Sequence, residues 1–435
     1  MRNDSRRKFL LQSGAVAGSS FLPDAVRAEE EAKPQLPIGA KLGDVYVLPA
    51  TAETTQWGWF DNAQAPVLKL RSGDRVSMET MMASANQVLP GVSIEEITRM
   101  RLEFPGRGPH TITGPIYIEE AEPGDTLKIR IERIVPRSYG ANWNLPGELG
   151  LGQFPDRFPA GQVRYFYFDL QRASTQFAPG IQIPLRPFPG VLGVARAEPG
   201  RYSTVPPGPF GGNMDVREII EGTTVYLPVF VEGALLWSGD SHAAQGNGEI
   251  NLTAIETAFN ELRLHIEVIK RKAIAWPRVE TPTHWLTMGY DRDLNKALEI
   301  LKTQTQDFLA ETQNISPEKT AEWMATRYDC RISEVVNQTK GVFCMIPKKG
   351  VTLRRAVRPL RETRHYFATS SSSPDLQTAM NEASFAMIEQ IAQRKNMSAI
   401  DAYSLMSLTM DSRLGDIAEA KKSVHCVVPK NLWTG

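Results

Sequence analysis

The sequence predicts an α+β fold in two parts. A mainly β part of sandwich or barrel type runs from residue 36 to 276, and a helix-rich part from 277 to 435 contains a duplicated helix-helix-strand unit. Three observations carry this. From Leu36 to Trp276, short runs with β character are separated by turns containing Pro and Gly. Beyond Trp276, apolar residues recur near the helical period. Within the last third, separated segments recur at one offset of 82 residues, as from Asp329 to Asp411. The two parts are expected to pack as one unit.

The chain opens on Ser5-Arg6-Arg7-Lys8-Phe9-Leu10, followed by a short, mildly apolar run from Leu11 to Leu22 rich in Gly, Ala and Ser. This pattern resembles a twin-arginine export signal, with a small-residue cleavage site ending at Ala28 and an acidic Glu29-Glu30-Glu31 beyond it. Residues 1–28 are read as the signal, which implies a periplasmic protein exported already folded. The apolar run is too short to span a bilayer, and no later segment supplies a span. Composition narrows the partners further. The 435 residues carry 49 basic and 49 acidic side chains, so no net charge attracts nucleic acid or an anionic membrane, and a 42% hydrophobic content is enough for a large core.

In the β part, strand candidates are Val67 to Leu70, Arg75 to Glu79, Ile116 to Glu119, Thr126 to Val135, Val163 to Asp169, Thr224 to Glu232 and Leu262 to Ile269. Turns such as Ser72-Gly73-Asp74 and Glu122-Pro123-Gly124-Asp125 separate them. In the helical part, Leu294, Leu298, Leu301, Phe308 and Leu309 mark one helix and Pro317 to Val336 a second. The repeat is read from Asp329-Cys330-Arg331-Ile332 against Asp411-Ser412-Arg413-Leu414, and from Val342 to Lys348 against Val424 to Lys430. Each copy has an aromatic-flanked histidine, His284 or His365, near its start. The two strands are expected to lie near each other about a pseudo-twofold axis, as a packing device. The three cysteines, Cys330, Cys344 and Cys426, have no metal-ligand spacing and cannot all pair, so no disulfide-dependent scaffold is expected.

The densest polar cluster is Gly239-Asp240-Ser241-His242-Ala243-Ala244-Gln245-Gly246-Asn247-Gly248-Glu249. A carboxylate and an imidazole two residues apart on an extended chain project to one face, so Asp240 and His242 can approach one divalent cation. Glu249 returns a second carboxylate after the glycine-bracketed turn. A hydrogen-bonded structural Asp-His pair is the plainer alternative. A second cluster, His110-Thr111-Ile112-Thr113-Gly114-Pro115, reads either as a strand entry or as a source of a further imidazole. A third, Gly211-Gly212-Asn213-Met214-Asp215, reads as a loop or as backbone N–H groups facing an oxyanion. Glu79 is a carboxylate candidate or an exposed strand residue, Ser241 a nucleophile candidate inside the motif, and His265 and His425 read as core histidines.

These clusters, with Trp57-Gly58-Trp59-Phe60-Asp61 and the strand Val225 to Gly233, occur in an order and spacing that resembles the acetamidase/formamidase family, from about Lys41 to the C-terminus. The Asp-x-His-x-x-Gln-Gly segment is the most specific part. Asn247 departs from the family pattern, where Asp is more common, which bears on metal affinity and substrate choice. The resemblance implies hydrolysis of small linear amides to a carboxylate and ammonia, with a divalent metal, zinc or alternatively calcium. On this reading Asp240, His242 and His110 hold the metal, Glu249 moves the proton as catalytic base, and Gly212, Asn213 and Gln245 bind the substrate. A homo-oligomer is expected. Two other readings stay open: a periplasmic protein that binds an amide or sugar without turnover, and a lactamase acting on a cyclic amide.

Overall fold

The computed structural model describes residues 37–351, 361–418 and 420–434; the export signal read over residues 1–28 lies outside them. Period-two alternation builds the first sheet. In Thr126–Pro136 and Phe259–Ile269, buried Leu127, Ile129, Ile131, Leu262, Leu264 and Ile266 alternate with polar residues. The polar residues pair across the strands: Lys128 opposes Glu267, with a 2.7 Å ion pair between them. These two strands lie side by side within a thirteen-stranded sheet.

A second sheet of eleven strands has Leu236–Ala244 at its centre, every residue of it buried. Phe188–Val194, Ile255–Thr257 and Thr111–Ile118 all pair with that strand. A strand buried along both faces is a near-continuous apolar run, and here its polar breaks are Ser238, Asp240, Ser241 and His242. Ile112, Ile116, Val191, Leu192, Leu236 and Trp237 of this sheet share a core with Leu127, Ile129, Val225 and Leu264 of the first. Of the sandwich or barrel left open by the sequence, two sheets sharing one core match the first, within an α+β fold.

The helices follow their capping residues. Leu294–Gln313 starts at Asp293, whose carboxylate accepts from the Asn295 N–H, and ends at left-handed Asn314. Leu376–Lys395 starts at Asp375 and ends at left-handed Asn396. Pro317–Thr326 and Ala399–Thr409 follow the N-caps Ser316 and Ser398. Around them the order of elements is strand, helix, helix, strand, strand on both occasions: His284–Asp291 to Thr339–Pro347, then Tyr366–Ser373 to Lys421–Pro429. The sequence expectation of helix, helix, strand missed one strand at each end of the unit. Tyr366–Ser373 is a half-exposed edge strand rich in serine, without the apolar alternation that marks a strand in sequence. In the sheet the six strands run His284–Asp291, Thr339–Pro347, Asp329–Asn337, Asp411–Ala418, Lys421–Pro429, Tyr366–Ser373, and the middle pair meets at Arg331 opposite Arg413.

That six-stranded stretch continues the same sheet, joined through Arg278–Glu280, and the described residues form one compact unit. The cysteine expectation needs correction in one respect. Cys330 and Cys344 sit directly opposite each other in the hairpin Asp329–Pro347 and are joined as a disulfide, while Cys426 is buried and free. An odd count of cysteines says nothing about which two a hairpin register brings together.

Candidate active site

The site grows from the central strand of the second sheet. Asp240 and His242 lie on one face, as alternation requires, and Asp240 Oδ2 is 3.2 Å from His242 Nε2. Ser241 faces the other way, where its hydroxyl shares a 2.7 Å hydrogen bond with Thr80, so it is not placed as a nucleophile. Glu256, directly opposite His242 on Ile255–Thr257, brings its Oε2 to 3.3 Å from the same Nε2. His110, at the entry to Thr111–Ile118, places Nε2 at 3.6 Å from Asp240 Oδ1. Asp215 arrives from the loop after the short strand Gly211–Asn213, with its Oδ1 3.8 Å from His242 Nδ1.

Hydrogen bonds fix the ring orientations. The Gln245 amide nitrogen donates to the Asp215 and Ser333 carbonyls, which turns its Oε1 to accept from His242 Nδ1–H at 2.8 Å. His110 Nδ1–H likewise donates to the Thr204 carbonyl at 3.2 Å. Each imidazole therefore presents Nε2 to Asp240. A bare Nε2 with two carboxylate oxygens against it calls for positive charge between them, which a second proton or a divalent cation supplies. Asp215, Asp240 and His242 bring ligand atoms within 4.8 Å of one another, and so do His242, Glu249 and Glu256. Asp215 Oδ1 is buried with no hydrogen-bond partner among the described residues, as a carboxylate oxygen kept for a cation would be. Gly190 lies directly against this set: a Cβ there would sit 2.6 Å from Asp240 Oδ2 and 2.8 Å from Asp215 Oδ1. The donor set fits a divalent cation.

The electrostatics follow from burial and crowding. Burial works against ionised Asp240, but the His110 and His242 imidazoles outweigh it and hold the carboxyl below its ordinary range. Burial disfavours charge on His242, yet Glu256 and Asp240 raise its proton affinity well above normal. Burial, then the field of Asp215, pushes Glu249 well up, and burial with Asp240 pushes Glu256 up to about 7 against the pull of His242. Asp240, Asp215 and Glu249 all have left-handed backbones, with φ of 50°, 49° and 48°. Such conformations cost non-glycine residues on the order of 1–3 kcal/mol each and concentrate at functional sites.

A cavity of about 60 Å³ opens on this set, lined by His110, Asn213, Asp240, Glu249 and Glu256 on its polar side. Since a water needs at least roughly 10–15 Å³ on this measure, the space admits a small molecule. Its other wall is apolar and includes Trp143, Leu145, Leu151, Leu252 and Val336.

The predicted residues therefore separate. Asp240, His242, His110, Glu249 and Asn213 come together. Gly212 does not line the cavity; a Cβ on it would meet the Phe210 ring. Gln245, expected to bind substrate, sits behind His242 and holds its ring. Glu79 also lies off the cavity, its carboxylate accepting from the Ala50 N–H. Asn247, expected to bear on metal affinity, turns to Asp411 Oδ1 at 2.7 Å, into a separate cluster of Arg217, Arg331 and Arg413. Sequence reading missed Asp215 as a donor, though it ends a quoted motif, and missed Glu256, Glu334 and Asn337 altogether. Asn337 donates to Asp215 Oδ2 at 2.5 Å, and buried Glu334 accepts from its backbone N–H.

Fold and donor set together define a β-rich α+β protein with a candidate divalent-cation site at one end of a small cavity. The chain belongs to the acetamidase/formamidase family, whose sequence model matches residues 50–201 and 197–434. It is 28% identical over 218 residues to an acetamidase of Mycolicibacterium smegmatis, covering 37% of this chain and 54% of that one, so it spans about half of that relative's length. Among solved structures, it is similar to an acetamidase from Bacillus halodurans, with a TM-score of 0.62 and 30% identity over 69% of this chain and 97% of that one. A predicted acetamidase/formamidase from Thermoanaerobacter tengcongensis gives a TM-score of 0.62 and 31% identity, covering 70% and 95%.

Proposed function

We propose that the protein hydrolyses the C–N bond of a small linear amide, giving a carboxylate and ammonia. The observation that carries this is the convergence of Asp215, Asp240, His242, Glu249 and Glu256, of which Asp240, Glu249 and Glu256 line a small cavity, in a member of a family named for such activity. Asp240, His242 and Asp215 would hold the cation, with His110 on the far side of Asp240. A mixed imidazole and carboxylate set favours zinc over calcium, which prefers oxygen alone. When bound, such an ion supplies Lewis acidity and a water of lowered pKa.

The chain's own residues supply the rest. Glu249, whose burial raises its hold on a proton, takes one from the attacking water and passes it to the leaving nitrogen. Asn213, with its Oδ1 buried and unbonded among the described residues, accepts from the amide N–H. Gln245 keeps His242 in the tautomer that offers Nε2. The apolar wall excludes bulk water from the acyl side. The test is ammonia release from formamide, acetamide, longer amides and a lactam, with metal content measured in wild type and His242→Ala. Loss of both metal and ammonia release in the variant is expected. Metal retained with no amide hydrolysed by wild type would overturn the proposal in favour of a binding protein.

The same reading includes three further points. Export rests on the twin-arginine pattern, a homo-oligomer on the resemblance, and a duplication within 277–435 on the recurrence of caps and strands at an offset of 82 residues. Among the described residues, no helix is long and apolar enough to cross a membrane.

A further inference from the structure

Among the described residues, Arg101 is the one basic side chain other than His110 on the cavity, and nothing in the proposed chemistry uses it. It lies in the last turn of the helix Ile94–Glu103, where a positive charge complements the helix end. That explains the residue type but not its direction, which is inward to the wall shared with Trp143, Leu145 and Leu151. Its Nη1 donates to the Arg107 carbonyl at 2.7 Å, which holds the guanidinium in place. Among the described residues no carboxylate lies within ion-pair distance of it, although Asp240, Glu249 and Glu256 line the same cavity. A half-buried guanidinium with a single neutral partner has several donors left, and desolvating it without a counter-charge is costly.

Resting on the amidase reading above, we infer that the substrate is an amide bearing a carboxylate at the far end of its acyl chain, and that Arg101 binds that carboxylate. Guanidinium and carboxylate match as a bidentate pair, and the missing counter-charge arrives with the substrate. Water adds its oxygen to the carbonyl carbon, the C–N bond breaks and nitrogen leaves as ammonia, so the product is a dicarboxylate. The apolar part of the cavity wall, which includes Trp143, Leu145 and Leu151, takes the methylene spacer.

The experiment compares kcat/KM for malonamate and succinamate with that for neutral acetamide and butyramide, in wild type, Arg101→Lys and Arg101→Met. The expected wild-type preference for a carboxylated amide over its neutral counterpart is about 10- to 100-fold, carried by KM. Arg101→Met should remove most of that preference, and Arg101→Lys should keep part of it. Succinate should inhibit wild type more strongly than butyrate, by a margin that Arg101→Met removes. Equal or poorer use of the carboxylated amides by a wild type that hydrolyses acetamide would overturn this inference alone. Hydrolysis of neither class would overturn the amidase reading, and this inference with it.

Discussion

Gly190 is where the donor set is most exposed to a single added carbon. In Gly190→Ala the new Cβ would lie 2.6 Å from Asp240 Oδ2, 2.7 Å from His242 Cε1 and 2.8 Å from Asp215 Oδ1, where ordinary contact begins at 3.4 Å. Three groups must then retreat by about 0.6 to 0.8 Å each, whereas ligand distances at a metal site tolerate only about 0.2 Å. The retreat is opposed on every side. His242 is held by Gln245 and by the edge of Phe188, Asp215 by Asn337, and Asp240 by a fully buried strand. Overpacking of this kind costs about 1–3 kcal/mol of stability. The effect on the cation should be larger, with affinity falling at least about 100-fold, the upper end of what disturbing a ligand's support costs. Competition against a chromogenic chelator reads the affinity, and thermal unfolding reads the stability separately. A folded Gly190→Ala protein that bound zinc as tightly as wild type and released ammonia at the same rate would refute the assembly of these three residues about one ion.

Gln245→Leu removes the acceptor for His242 Nδ1–H, and zinc affinity in the same competition assay should fall about 10- to 100-fold, whereas an effect on KM alone would restore Gln245 to substrate binding. Asp411 gives a pH signature remote from the cation. Burial works against its ionisation, but Arg331, Arg217 and Arg413 hold its pKa below the ordinary carboxylate range. A carboxylate depressed in the folded state contributes stability in full above its unfolded pKa of about 3.9 and loses it as pH falls through the folded value. Asp411→Asn should therefore cost about 3–5 kcal/mol near pH 7 in urea unfolding, and the gap to wild type should narrow below about pH 4. A gap constant from pH 7 to pH 3 would rule out the ion cluster as its source.

What was legible in the sequence was local. Asp240 and His242 are two apart on one strand, so alternation puts them on one face, whereas Ser241 stayed a nucleophile candidate until its bond to Thr80 placed it on the other. Asp293 and Ser316 recur as Asp375 and Ser398 at the offset of 82 residues, but only the structure shows all four starting helices. Glu256 was not legible, because its partnership with His242 depends on the register between Leu236–Ala244 and Ile255–Thr257, with a bulge between His242 and Ala244. Asn247 misled for a related reason. The turn that carries Glu249 to the cavity rotates Asn247 away from it, since Gly246 is pressed against the carbonyls that end the helix Ala399–Thr409.

That same turn shows why the helix-rich part cannot be regarded as a mere support for the β part. Gly248 N–H donates to the Ser333 carbonyl at 2.8 Å, and Val335 N–H returns a bond to the Gly248 carbonyl at 3.1 Å. Through this bridge the hairpin Asp329–Pro347 fixes the backbone immediately before Glu249. Its register slips between Ile332 and Glu334 and again between Glu334 and Asn337, which is where it reaches the site. Asn337 then joins Asp215 and Glu249 through one amide, 2.5 and 3.4 Å from their carboxylates. Burial raises the pKa of both carboxyls, and the field of Asp215 adds to that of Glu249, so the pair needs such a donor to stay in place when ionised. The donor comes from a stretch some ninety positions further along the chain, at the bulged end of a hairpin that sequence reading had assigned to packing alone.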